Sequence, residues 1–119
     1  MVLNIDLAPT LLDYAGISPP PVMQGRSLRT LVHGQSSSWR RDWFYEHHFS
    51  YDGKIPEVEG IRGERWKYVR YVRVSPVVEE LYDLRRDPLE TRNLANDPAQ
   101  AREITALRKR WNELRAELR

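Results

Sequence analysis

The chain has 119 residues, no cysteine and a formal net charge of +2, with 30% of its residues charged. That length is one ordinary domain or slightly less. The composition excludes a disulfide framework, a Cys-based zinc site, a thiol nucleophile and a CxxC redox pair, and so near-balanced a charge offers no support for nucleic-acid binding. No apolar run reaches membrane-spanning length. The opening Met1-Val2-Leu3-Asn4 lacks the basic and apolar regions of a secretory signal.

The first predicted element is a short helix over residues 6–16, DLAPTLLDYAG. Asp6 is placed to cap it, Pro9 falls in the first turn where its missing N–H costs little, and Gly16 suits the left-handed position that ends a helix. Leu7, Leu11, Leu12 and Ala15 recur near i, i+4 and i+8 and define its expected buried face. The helix is too short to stand alone. Three successive prolines, Pro19 to Pro21, then enforce an extended path. SLRTLVHG, residues 27–34, reads as one or two helical turns capped by Ser27 and ended by Gly34, and QSSS, residues 35–38, as a polar linker.

From Trp39 onward aromatic and β-branched residues gather in short runs. Strands are predicted over 42–49, 58–64, 66–72 and 78–84, with a tight turn at Glu64-Arg65 joining the middle two. Trp66, Tyr68 and Val72 share one parity and Val69 and Tyr71 the other, so both sheet faces are expected to be covered. Residues 85–98 form a loop in which Asp87-Pro88 starts a turn. In the last segment Asp97 is the expected N-cap, Pro98 the first helical residue and Gln100 the partner in a capping box. Ile104, Leu107, Trp111, Leu114 and Leu118 repeat at intervals of 3, 4, 3 and 4, one apolar stripe on a helix roughly 30 Å long. Strands grouped before a closing helix give an α+β class: a small four-stranded antiparallel sheet with a long C-terminal helix on one face, preceded by short helices.

Few residues carry a chemical signal. Glu46, His47 and His48 are consecutive on the first strand, so His47 and His48 point to opposite faces and cannot chelate one ion. Glu46 and His48 share a face, but two ligands are short of a metal set. Glu46 and His47 remain candidates for lining a pocket edge. The serines at 36–38 have no nucleophile elbow around them. Glu57, Glu59, Glu64, Glu79 and Glu80 form no recognisable acid pair. Arg62, Arg65, Lys67, Arg70 and Arg73 interleave with Trp66, Tyr68 and Tyr71, which resembles a nucleic-acid surface in composition. Long basic side chains lying past an aromatic core and pairing with Glu59, Glu64, Glu79 and Glu80 explain the same pattern.

Three blocks, in order, resemble a known family. NIDLAPTLLDYAG followed by MQGRSL is similar to the end of the catalytic domain of type I sulfatases, in the alkaline-phosphatase superfamily. EGIRGERWKYVRY resembles the central hairpin of the sulfatase C-terminal subdomain, and ELYDLRRDPLETRNLA the segment after it, usually close to LYDLxxDPxExxNLA. The resemblance implies two regions: 1–38, the tail of the catalytic-domain region, and 39–119, the C-terminal α+β subdomain. It implies a sulfuric ester hydrolase as parent, with a periplasmic or extracellular location typical. The parent would use calcium and a formylglycine made from the Cys or Ser of a C/S-x-P-S-R motif.

That motif is absent from these residues, as are the paired aspartates and the GKWHLG-type block of the family. The expectation is therefore a C-terminal fragment that completes the fold and shapes the substrate pocket of a parent enzyme. It would have no catalytic residues, metal or cofactor of its own and would not be competent alone. Its expected partner is the catalytic domain, with a sulfated carbohydrate or aryl sulfate as the substrate of the intact enzyme, and neither nucleic acid nor membrane. In relatives the first strand of this subdomain and the loop after it reach the active-site mouth, which makes Glu46 and His47, with residues of Tyr51 to Glu59, candidates for substrate contact. The alternative is a non-enzymatic carbohydrate-binding or oligomerising module, self-associating through an exposed face.

Overall fold

A computed structural model describes residues 1–35, 38–49 and 52–118 and divides the chain into two compact units, Met1–Arg41 and Asp42–Arg119. In the first unit a 3-10 turn at Asn4–Asp6 leads into α1 (Leu7–Tyr14), and α2 (Arg29–Val32) follows the proline-rich stretch. Gly16 and Gly34 end these helices with φ of +73° and +71°. The N-cap of α2 is Leu28 and not the expected Ser27, which lies one residue earlier, its Oγ accepting from the Arg29 N–H at 3.2 Å.

Asp6 does not cap α1. Its fully buried carboxylate turns back to accept from the N–H groups of Leu3 and Arg26 at 2.8 and 2.9 Å, and from both terminal nitrogens of the Arg40 guanidinium at 2.8 and 2.9 Å. A bidentate, charge-assisted pair outcompetes a single helix N–H. Burial opposes its ionisation, yet Arg40 and the two N–H groups hold the carboxyl down at about 2. Thr10 Oγ1 accepts from the Leu28 N–H, and Asp13 binds Ser27 and Arg29, so the polar side of α1 is tied to residues 26–29. A Cβ on Gly25 would lie 1.9 Å from the Ile5 carbonyl oxygen, which excludes any other residue there. The expected buried face of α1 is corrected: Pro9 is buried, Leu12 is half-buried, and Leu7, Leu11 and Ala15 are exposed.

The second unit has the α+β form expected. β1 (Asp42–His47), β2 (Val58–Gly63), β3 (Trp66–Tyr71) and β4 (Glu79–Asp83) make an antiparallel sheet in the order β1-β2-β3-β4. The register sets Phe44, Ile61, Tyr68 and Leu81 in one row across the four strands. This row packs against Ile104 and Trp111 of α3 (Ala101–Glu117), and half-buried Trp66, Val72, Leu94, Leu107 and Leu114 extend the core. The stripe on α3 is the one its periodicity defines, but Leu118 stays exposed. Asp97 caps the helix entry by accepting from the Ala99 N–H at 2.9 Å. The reciprocal half of the capping box is not formed, because the Asp97 N–H goes to the Leu94 carbonyl. Among the described residues no helix is long and apolar enough to cross a membrane.

The segment after β4 closes the sheet edge. Asn93 Oδ1 accepts from the N–H groups of Leu81 and Ala95, and its Nδ2 donates to the Glu79 carbonyl at 3.1 Å. One side chain thus satisfies backbone groups that an edge strand would otherwise expose. Asp87 organises the turn before it, accepting from Thr91 Oγ1 and the Arg92 N–H.

Candidate functional site

Of the sequence-derived candidates, Glu46 and His47 both lie at the exposed end of β1, but the pleat sends them to opposite faces. They flank the same strand end without converging. Glu46 is directly opposite Glu59, and His47 opposite Val58. Ser36, Ser37 and Tyr51, also considered from sequence, lie outside the described residues.

The residues that sequence reasoning did not bring together are those behind Glu46. Glu59 is 2% exposed. Its Oε1 is 3.2 Å from His48 Nε2, and its Oε2 is 3.1 Å from Nε of Arg115 on the last turn of α3, without the alignment of a hydrogen bond. Arg115 and Arg70 both lie over the Trp111 ring, at 4.9 and 4.8 Å from its centre. The same cross-strand row continues from Glu59 to Arg70 and Glu79. Glu79 accepts from Tyr68 Oη and from Arg108, with Arg70 at 3.9 Å. Burial works against the Glu79 carboxylate, but Arg108 and Tyr68 outweigh it and lower its pKa.

On the other face Tyr45 lies across Gly60, whose Cβ position is 2.5 Å from the Tyr45 ring. Burial, then the carboxylates Glu90 and Glu80, push the Tyr45 phenol well above its ordinary range. Burial and a hydrogen bond to Glu80 raise Tyr82 to about 12. Tyr71 Oη also donates to Glu80, at 2.8 Å. Glu90 takes Lys67 and, at 3.8 Å, Arg62. His47 meets Phe49 edge to face at 6.4 Å.

The basic residues of the hairpin are therefore ion-paired, though not always to the partners expected. Arg70 does pair with Glu79, but Arg62 and Lys67 take Glu90, Arg65 takes Asp83 and Arg73 takes Glu57. Glu64 pairs outside this set, with Arg85 at 3.9 Å. Register distance, not proximity in sequence, selects these carboxylates.

Among the described residues no three His, Cys, Asp or Glu side chains converge as metal ligands. Glu46, His48 and Glu59 share a neighbourhood, but Glu59 is committed to Arg115 and His48, and a guanidinium beside a carboxylate opposes a cation there. With no cysteine and no C/S-x-P-S-R motif, these residues do not fit the calcium and formylglycine of sulfatases. No catalytic step through either is assigned to them.

Residues 1–117 match the family model described as N-sulphoglucosamine sulphohydrolase, C-terminal. Over 96 residues the chain is 38% identical to a Delta 4,5-hexuronate-2-O-sulfatase of Bacteroides thetaiotaomicron, covering 80% of this chain and 20% of that protein. A protein solved in complex with its substrate D-glucosamine-2-N,6-O-disulfate superposes with a TM-score of 0.81 at 27% identity, covering 91% of this chain and 22% of that one. The phosphonate monoester hydrolase of Agrobacterium radiobacter superposes with a TM-score of 0.76 at 30% identity, covering 94% of this chain and 24% of that one. The chain thus spans about a fifth of the length of the curated relatives it matches. With the family model matched over nearly the whole chain and relatives of this identity and superposition, the chain belongs to the C-terminal sulfatase family of the alkaline phosphatase superfamily.

Proposed function

We propose that this chain is the C-terminal part of a sulfuric ester hydrolase, in which residues 1–38 end the catalytic-domain region and residues 39–119 form the subdomain that completes the fold. The observation that carries this reading is the family match over residues 1–117 at only about a fifth of the relatives' length. The intended partner is a catalytic domain supplying the nucleophile and metal, and the substrate of the assembled enzyme is a sulfated carbohydrate or aryl sulfate. Glu46 and His47 contribute to the substrate rim from the exposed end of β1. An imidazole N–H can donate to a sulfate and a carboxylate can accept from a sugar hydroxyl, and among the described residues neither Glu46 nor His47 is ion-paired.

Two measurements test this. In an intact enzyme carrying this region, His47→Ala raises KM or changes substrate preference, and unchanged kinetics on the native substrate removes the rim assignment. The isolated chain turns over no aryl sulfate, and measurable turnover overturns the division of labour. A self-associating module is the second reading, favoured by the exposed apolar side chains of the first unit, Leu7, Leu11, Tyr14 and Val32. Its measurement is the solution mass, and a well-behaved monomer counts against it.

A further inference from the structure

Glu59 is an unusual residue for its place. A buried carboxylate is costly to hold, and in an antiparallel pair a like charge directly opposite is unfavourable, yet Glu59 stands across from Glu46. An apolar residue there would fit the core row beside Ile61 at less cost. What the carboxylate adds is connection. Oε1 reaches His48, the first residue beyond β1, and Oε2 reaches Arg115 on the last turn of α3. Arg115 is itself stacked on buried Trp111. A continuous chain of contacts therefore runs from the hydrophobic core, through Trp111, Arg115 and Glu59, to His48 at the end of β1.

We infer that Glu59 and His48 are positioning residues forming a clasp that fixes the end of β1. The clasp holds the backbone at Glu46 and His47 in register with β2, so that both present their side chains from a fixed strand end and not from a frayed one. The last β1–β2 pair is His47 with Val58, and among the described residues no further ladder holds the strand beyond it. Strand ends fray without such support. Glu59 also keeps Glu46 free: Glu59 engages both His48 and Arg115, which leaves Glu46 without a protein partner among the described residues. That this strand end faces substrate rests on the proposed function; the clasp does not.

The test is amide hydrogen exchange by NMR on the full 119-residue chain as wild type, His48→Ala, His48→Gln and Glu59→Gln. His48 is about half exposed, so its variants keep the core intact. His48→Ala is expected to speed exchange at His47 and Val58 by about tenfold while Tyr68 and Leu81 keep their protection. His48→Gln, which retains an N–H donor, restores the protection, and Glu59→Gln weakens it locally. In the wild type, the imidazole nitrogen signals identify Nε2 as the hydrogen-bearing nitrogen. Unchanged exchange at His47 and Val58 in His48→Ala overturns the clasp. So does equal loss at Tyr68 and Leu81, which would make the pair a prop of the core, and so does failure of His48→Gln to restore protection. These readouts use no substrate, so a null result for His47→Ala kinetics removes the rim reading and leaves the clasp standing.

Discussion

Asp6 shows at the level of one residue how a helix-capping side chain is redirected by a better donor. Its pKa of about 2 lies below the ordinary 3.8, so its charge contributes stability that is complete above about pH 4 and is lost as pH falls toward 2. Asp6→Asn removes that contribution and strands Arg40 without its partner, a loss of about 3 kcal/mol from the first unit. The check is the acid-induced change at the Leu3 and Arg26 amides, which donate to this carboxylate. In wild type they shift below pH 4, and in Asp6→Asn that transition is absent. Asp6 was legible as a helix-start residue, but Arg40, 34 positions away, was not legible as its partner. Nothing in local spacing says which of many arginines will meet a buried carboxylate.

Among the elements, the hairpin and α3 follow their sequence patterns closely because those patterns are local. A strand repeats every two residues and a helix every 3.6, and the apolar residues of each run reveal which face is buried. The exception is Gly60. Its place in the centre of β2 weakens a strand by ordinary propensity, but the Tyr45 ring and the Tyr68 carbonyl oxygen each lie 2.5 Å from where its Cβ would be. Gly60→Ala therefore destabilises the second unit by about 1–3 kcal/mol through forced displacement of the ring or backbone. Urea denaturation followed by far-UV circular dichroism measures this, and a neutral result shows that Tyr45 can move aside freely. The tyrosine was readable as a strand residue; its crossing over a neighbouring strand was not.

Across the second unit as a whole, buried and half-buried phenols shape the response to alkali. Tyr68 and Tyr82 are pushed up to about 12, mainly by burial and then by the carboxylates they bond, and Tyr45 is shifted in the same direction. The folded chain holds these protons when the unfolded chain, with ordinary phenols near 10, has begun to lose them. Stability is accordingly intact below about pH 10 and falls as pH rises toward 12. Spectrophotometric phenol titration is expected to show a group of tyrosines that ionise only with unfolding. A single unperturbed titration of all tyrosines with the fold retained would contradict the burial of this set.

By itself the sequence determined the kinds and order of the elements, the apolar stripe of α3, the hairpin turn at Glu64-Arg65 and, through three ordered blocks, the family. Each rests on short-range periodicity, turn chemistry or contiguous motif. Only the tertiary structure decided which charges are paired. Asp42 meets Arg110 across 68 positions, Glu59 lies between His48 and Arg115, and Glu90 reaches back to Lys67. It also decided that Glu46 and His47 part to opposite faces of one strand end and that Leu7 and Leu11 are exposed. The physical reason is range. Apolar patterning is set by the repeat of each element, whereas an ion pair depends on where register and packing bring distant side chains, and on which carboxylate is buried deeply enough to need a partner.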